Sequence, residues 1–423
     1  MKKVLVISWF YPPINSSEGL VTYKLLKNSE IQYDICMQSN TESWSYGKDD
    51  NFPETPNVRK IYAKSKELGQ WIEEVTNYFR KHQNEYDIVM TRSMPPESHK
   101  IGLNIKNIKP SVHWIASFGD PIANNPFVLK QFKEISPYSL ENRYLRPMGL
   151  REMVSVKRML KNVLWTRRNE QTKKPFKMDQ KLESEIVNAC DTIILNSEEQ
   201  REYMLGSLEE QIQKKALVLP HSFDSELYGE DISKEGRKKQ RIVYVGHLDD
   251  IRTPHPFLKA LKELNEQVDD LSERVEVLFY GNMSAKEKVY IMDNELLDIV
   301  KVKKPITYME SLRVMQDADW LLHIDANLQD VLEHNIFFAA KLADYIGAKT
   351  PIMGITMTEG PSANILRDLG ALIMSYSVDE IKSYLYLILF EGYRVSMNSE
   401  TVNKFDAKTV ADEFDKYIKK LQK

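Results

Sequence analysis

Val218-Leu219-Pro220-His221-Ser222-Phe223-Asp224-Ser225-Glu226-Leu227-Tyr228 stands near the middle of the chain, with an alternation of strands and helices on each side. On the N-terminal side Val4-Leu5-Val6-Ile7 is a continuous apolar run, the pattern of a parallel strand covered on both faces. Similar runs fall at Tyr33–Met37, Asp87–Met90, Val112–Ala116 and Thr192–Leu195, with helical patterns at Lys66–Arg80 and Glu97–Ile105 between them. Short buried strands alternating with helices point to a doubly wound α/β domain. Beyond Tyr228 the rhythm restarts: strands at Ile242–Val245, Val275–Phe279, Trp320–Ile324 and Pro351–Gly354, helices at Phe257–Leu264, Ser311–Asp317, Phe337–Tyr345 and Ala363–Leu369. The pattern predicts two Rossmann-like, doubly wound parallel-sheet domains facing across a cleft and joined near residues 207–240, in an α/β fold.

The length of 423 residues suits two domains of about 200 residues each. Hydrophobic residues make up 42% and charged residues 28%, which describes a folded chain rather than a disordered one. A net charge of −3 gives no reason to expect nucleic acid as a partner. Cys36 and Cys190 stand far apart without metal-ligand spacing, so a reduced, cytoplasmic compartment is expected. Val4–Ile7 is too short for a signal-peptide core, and no segment approaches eighteen uninterrupted apolar residues. Any membrane contact is therefore expected to be peripheral.

Arg241-Ile242-Val243-Tyr244-Val245-Gly246-His247-Leu248, then Arg252-Thr253 and a helical run, follows the central stretch. The central stretch resembles the hinge of family 4 glycosyltransferases, and the second resembles the opening strand and phosphate loop of their donor-binding domain. The two occur in order and at that family's spacing. The resemblance implies the GT-B fold, an acceptor-binding domain over residues 1–215 and a nucleotide-sugar-binding domain over 216–423, with the last helix, 405–423, crossing back. In an open parallel sheet ligands bind beyond the carboxyl ends of the strands, so the loops there carry the site.

In the family an Arg follows the strand-end glycine and a Lys comes five residues later; here His247 and Arg252 take these places beside Gly246. Both are expected to bind the donor pyrophosphate and stabilise the charge on the departing diphosphate. Arg252 offers a permanent charge and a bidentate fork; His247 is only partly protonated near neutrality. A surface arginine and a satisfied loop histidine are the bland alternatives. Lys341-Leu342-Ala343-Asp344-Tyr345 with Thr350-Pro351-Ile352 resembles the family stretch whose acid accepts hydrogen bonds from the ribose hydroxyls; Asp344 takes that role and Lys341 lies beside it. A second Glu eight positions earlier is absent, since Ile336 stands there, and backbone amides over Asn335–Phe338, with Phe337 among them, are expected to contact phosphate or sugar instead. Gly281 ends a strand where the family turns close to the nucleotide, and Ile306 follows the strand expected to hold the base.

In the first domain Trp9–Leu20 resembles the family's N-terminal loop, whose glycine lets a donor phosphate approach the backbone; Gly19 is expected in that donor-binding role, where two adjacent glycines are usual. Val112–Pro121 ends a strand in a polar turn containing Ser117 and Asp120, and Ser93-Met94-Pro95-Pro96 lies at a neighbouring strand end. Asp120 is expected to orient the acceptor hydroxyl or the donor sugar, with Ser93 and Ser117 on the acceptor side; Asp-Pro turn chemistry explains the segment equally. Arg143 to Lys177 holds eleven Lys/Arg against two Glu, with apolar residues at helical spacing, inside a helical insertion expected over about 135–178. Two readings stay open: a face lying on anionic lipid at the inner side of the plasma membrane, or a hairpin packed on the sheet with solvated charges.

The resemblance implies a retaining hexosyltransferase that needs no metal and no cofactor beyond a UDP- or GDP-linked sugar. Its acceptor is expected to be a glycan or a polyprenyl-linked molecule, in assembly of a bacterial surface polysaccharide such as a capsule. Two rivals remain: a catalytically silent GT-B protein that serves as partner or glycan-binding subunit, and a sugar-nucleotide epimerase, which the hinge stretch disfavours.

Overall fold

The apolar runs of the first half assemble into one parallel sheet, because each is covered on both faces by helices from the segments between them. In the computed structural model, which describes residues 3–39, 49, 51–135, 178–230 and 232–422, this sheet contains β1 (Lys3–Ile7), β2 (Tyr33–Gln38), β3 (Val58–Ala63), β4 (Tyr86–Arg92), β5 (His113–Ser117), β6 (Thr192–Leu195) and β7 (Ala216–Val218). Their order is β3-β2-β1-β4-β5-β6-β7. Val4 to Ile7 are fully buried, and β1 pairs in parallel with β2 on one side and β4 on the other.

The second half repeats the scheme with β8 (Gln240–Val245), β9 (Val275–Tyr280), β10 (Val300–Lys303), β11 (Trp320–Ile324), β12 (Ile352–Ile355) and β13 (Leu372–Met374), ordered β10-β9-β8-β11-β12-β13. In both sheets the strand order reverses beside the first strand, between β1 and β4 and between β8 and β11. These are the switch points at which doubly wound sheets hold ligands. The two Rossmann-like domains predicted from the strand rhythm are present.

Some boundaries differ from the expectation. Strand β7 pairs with β6, so the first sheet extends past residue 215 to Val218. Strand β3 carries Arg59 and Lys60 at the sheet edge and does not read as an apolar run. The helix expected over Phe337–Tyr345 begins later, at Ala340, and ends at Gly347. The basic segment Arg143–Lys177 lies outside the described residues. Among the described residues no helix is long and apolar enough to cross a membrane.

The hinge is stitched from both sides. The Phe223 amide donates to the Phe405 carbonyl at 2.9 Å, and the Ala407 amide donates to the Phe223 carbonyl at 2.7 Å. Gly347 lets the Phe223 ring approach, since a Cβ there would stand 2.5 Å from it. The last helix, Ala407–Leu421, runs back to the first domain: Asp415 accepts the Glu30 amide at 2.7 Å, and Lys419 pairs with Glu30 at 2.7 Å. Its buried stripe of Val410, Phe414 and Ile418 closes that contact.

Candidate functional site

The second domain's half of the cleft is built at the β8/β11 switch point. Gly246 ends β8 with φ +133°, and Gly281 ends β9 with φ +142°. The two turns touch: a Cβ on Gly281 would stand 2.0 Å from the Gly246 carbonyl oxygen, so only glycine fits there. Asp249 then folds the loop, its carboxylate accepting the amides of Ile251 at 2.9 Å and Arg252 at 2.7 Å. This turn presents Arg252, whose Nε is buried without a hydrogen-bond partner. The guanidinium acts electrostatically on Asp325 and Lys341 of its own domain and on Asp120 of the other. His247 is exposed, and its carbonyl accepts the Tyr244 hydroxyl at 3.0 Å.

Lys341 lies beside Gly246, its Nζ 4.0 Å from the centre of the Tyr244 ring and bonded to that tyrosine's hydroxyl. Burial, then the nearby Arg252 charge, pushes its amine well below the usual lysine range. Next to it β11 ends in His323-Ile324, and Asp325 follows directly. Burial opposes ionisation of Asp325, but His323 and Arg252 outweigh it and hold the carboxyl below its ordinary value. The second domain therefore gathers two basic side chains and one carboxylate around a glycine floor.

Other residues expected on the donor side are engaged elsewhere. Asp344 is 6% exposed; its Oδ1 accepts Lys24 Nζ of the first domain at 2.9 Å and the Tyr308 hydroxyl at 2.8 Å. Phe337 lies in the loop before the helix Ala340–Gly347, and its amide is already donated to Asn335 Oδ1 at 3.0 Å. Its ring packs on Phe127 of the first domain, 4.6 Å between centroids, so its contribution is packing rather than a free amide. Ile306 is half-buried, two residues before the Tyr308 that reaches Asp344.

In the first domain Gly19 sits inside the helix Ser17–Lys27, where a Cβ would press on the Phe10–Tyr11 backbone at 3.2 Å. It packs the helix on the loop after β1, and Glu18, one residue earlier, reaches over Gly119 in its place. Ser93 and Ser117 are buried: Ser93 Oγ accepts the Gly119 amide at 3.3 Å, and Ser117 Oγ accepts from Arg92 Nη1 at 2.8 Å. Neither serine faces open space; both brace the wall behind the cleft. Asn196 donates to the Gly119 carbonyl at 2.8 Å and completes the bracing.

Arg92, 5% exposed at the end of β4, places its Nε 3.2 Å from Glu18 Oε2, in an alignment too poor for a hydrogen bond. Burial raises Glu18 to about 7 against the pull of Arg92, with Asp120 pushing the same way as burial. Burial likewise raises Asp120 to about 6, against Arg252 and Arg92. The residues expected as functional are thus brought together in part: Arg252, Gly246, Gly281, Lys341 and Asp120 converge, while Asp344 and Phe337 tie the domains to each other.

Sequence reasoning passed over Glu18, Arg92, Lys24, Tyr244 and Asp325. Two of these carried a signal. Arg92 is a charged residue ending a buried strand, and His323-Ile324-Asp325 places polar groups at the end of another, where switch-point ligands bind.

Neither a protein-family model nor a curated protein matches the sequence. Solved structures match over the whole chain. Sucrose-phosphate synthase from Thermosynechococcus elongatus is 11% identical with a TM-score of 0.64, covering 100% of this chain and 99% of that one. A glycosyltransferase from Rickettsia africae is 11% identical with a TM-score of 0.62, over 100% and 99%. An α,α-trehalose-phosphate synthase (UDP-forming) from Burkholderia xenovorans, in complex with glucose-6-phosphate, is 11% identical with a TM-score of 0.59, covering 100% of each chain. The chain has the GT-B fold these structures share.

Proposed function

We propose that the protein is a retaining glycosyltransferase that moves a hexose or N-acetylhexosamine from a nucleotide-sugar to a glycan or lipid-linked acceptor. The observation that carries this reading is Arg252: a guanidinium with a buried, unpartnered Nε at the second domain's switch point, beside Lys341 and opposite Asp120. An anionic donor diphosphate would complete that arginine and oppose the burial and the Arg252 charge that push the Lys341 amine below its usual range.

The bond between the sugar's anomeric carbon and the donor phosphate breaks while the acceptor oxygen bonds that carbon on the same face. The acceptor proton passes to the departing phosphate oxygen. Arg252, Lys341 and His247 stabilise the diphosphate, replacing a metal ion in that task. Asp120 orients the sugar or the acceptor hydroxyl across the cleft. Assembly of a bacterial surface polysaccharide at the inner membrane face is the process this reaction suits, with the basic segment Arg143–Lys177 as the lipid-facing element.

A second reading, a silent GT-B partner or glycan-binding subunit, is favoured by one observation: the acid aligned with the ribose ligand, Asp344, is already taken by Lys24 and Tyr308. A thermal-shift panel with UDP-, GDP-, ADP- and CMP-linked sugars separates the two. A ligand at about 100 times its Kd stabilises the native state by about 2.7 kcal/mol. A rise in Tm with one nucleotide series, lost in Arg252→Ala, supports the transferase. No rise with any nucleotide sinks the donor site.

A further inference from the structure

The wall around Gly119 holds more chemistry than the transfer of a sugar to an unspecified acceptor requires. Glu18 projects from the first turn of its helix across Gly119, its Oε1 2.7 Å from where a Cβ on that glycine would stand. Any side chain at position 119 would expel the carboxylate. Glu18 Oε2 is turned inward and buried without a hydrogen-bond partner, while Arg92 stands 3.2 Å behind it. Arg92 is itself 5% exposed; its Nη1 is fixed by Ser117, its Nε is ion-paired with Glu18 without a hydrogen bond, and its Nη2 makes no hydrogen bond. The side chain of Glu18 is 20% exposed, and of its two oxygens only Oε2 is buried without a hydrogen-bond partner. Asp120 follows Gly119 directly and feels Arg252 of the opposite domain, which puts both carboxylates on the side where the domains face each other.

We propose that Glu18 and Asp120 form the acceptor's positioning site, and that they accept hydrogen bonds from hydroxyls of an unphosphorylated sugar. This rests on the transferase reading above and specifies its acceptor class. When ionised, both carboxylates are acceptor-only groups, so their natural partners are O–H or N–H donors. A phosphate carries only acceptors at neutral pH and would be repelled by both. The cation in the cluster, Arg92, is buried behind Glu18 and anchors the carboxylate instead of meeting the ligand. Trehalose-phosphate synthase, which shares the fold, was solved with a sugar phosphate bound; the wall here would exclude a phosphate from the Gly119 position.

Charged groups facing Glu18 come from two other elements: Arg92 from the end of β4 and Asp120 from the loop after β5; Arg252 reaches Asp120 from the loop after β8. Protonation near neutrality removes acceptor capacity from Glu18, so acceptor KM should rise as pH falls from 8 to 6.

The test measures nucleoside diphosphate release from the donor found in the thermal panel, with glucose, galactose or N-acetylglucosamine added, and with their 6-phosphates. The expected result is acceleration by at least one unphosphorylated sugar and a lower kcat/KM for its phosphate. In Glu18→Gln the acceptor KM should rise by about tenfold or more, from the loss of one charge-assisted hydrogen bond, and lose the part of its pH dependence centred near 7, leaving only the contribution of Asp120 toward pH 6. Glu18→Asp should recover part of the affinity. The Tm rise with donor should be the same in wild type and variant, which shows that both are folded and donor-competent. Preference for a sugar phosphate, no acceleration by any unphosphorylated sugar, or an unchanged acceptor KM in Glu18→Gln overturns the proposal. Absence of the donor Tm rise in wild type instead overturns the transferase reading, and this proposal with it.

Discussion

Lys24 Nζ and Asp344 Oδ1 meet at 2.9 Å, at 1% and 6% exposure, and join the first helix of one domain to the helix Ala340–Gly347 of the other. The Tyr308 hydroxyl shares the same oxygen at 2.8 Å, and Phe52 stacks on Tyr308 at 5.7 Å. Removing one member leaves a buried charge without its partner, which costs about 3–5 kcal/mol. Asp344→Ala should therefore destabilise strongly, and Lys24→Met less, because Tyr308 still serves Asp344. The double variant Lys24→Met/Asp344→Leu should recover most of the loss. A double-mutant cycle on urea midpoints measures the coupling; simple additivity would show that the pair contributes nothing as a pair.

Arg252 should dominate the donor half. Arg252→Ala is expected to lower kcat by about 10²–10³, the scale of one lost transition-state donor. Arg252→Lys keeps the charge without the fork and should recover part of the rate. His247→Ala should cost much less, since its side chain is exposed and the loop is held through its carbonyl. Single-turnover rates on the three variants rank the contributions. Equal losses at 247 and 252 would contradict the geometry.

The fold was legible because β1, β8 and β11 are short apolar runs, and a strand buried on both faces has to be one. Arg252 and Gly246 were legible because their spacing along one loop is enough to place them together. Asp344 was found as a residue but not in its contacts, since Lys24 is 320 positions away and only the closing of two domains brings it near. Glu18 and Arg92 were missed for the same reason: their partnership crosses the switch point between β1 and β4. Phe337 was assigned to a helix that starts three residues later, because Asn335 caps the loop locally and takes its amide.

The contact between Gly281 and Gly246 offers a test of the glycine floor. A methyl at position 281 would stand 2.0 Å from a backbone carbonyl, at a positive φ that L side chains avoid. Gly281→Ala should cost about 3 kcal/mol or more through clash and backbone strain. Gly69 is the control: it is exposed in the first turn of the helix Leu68–His82, with nothing within 4 Å of a built Cβ. Gly69→Ala should stabilise by about 0.5–1 kcal/mol. Chemical denaturation of both variants should move the midpoint in opposite directions.

Glu18 and Asp120 should set the acid-side slope of stability. Burial raises Glu18 from 4.5 to about 7 and Asp120 from 3.8 to about 6 in the folded protein. Both hold their protons more tightly folded than unfolded. Their contribution is therefore complete below about pH 4 and is lost as pH rises through 6 and then 7. A shift of one unit corresponds to about 1.4 kcal/mol, so each group should remove on the order of 3 kcal/mol between pH 4 and pH 8. Glu18→Gln cannot ionise, and its loss also relieves the repulsion on Asp120. The absolute stability of that variant includes the cost of leaving Arg92 unpaired, so the slope is the quantity to compare. Between pH 5 and 8 wild type should lose about 2 kcal/mol more than Glu18→Gln in urea-derived unfolding free energy. Parallel curves would mean that Glu18 is ionised throughout, held by Arg92 more firmly than burial opposes it.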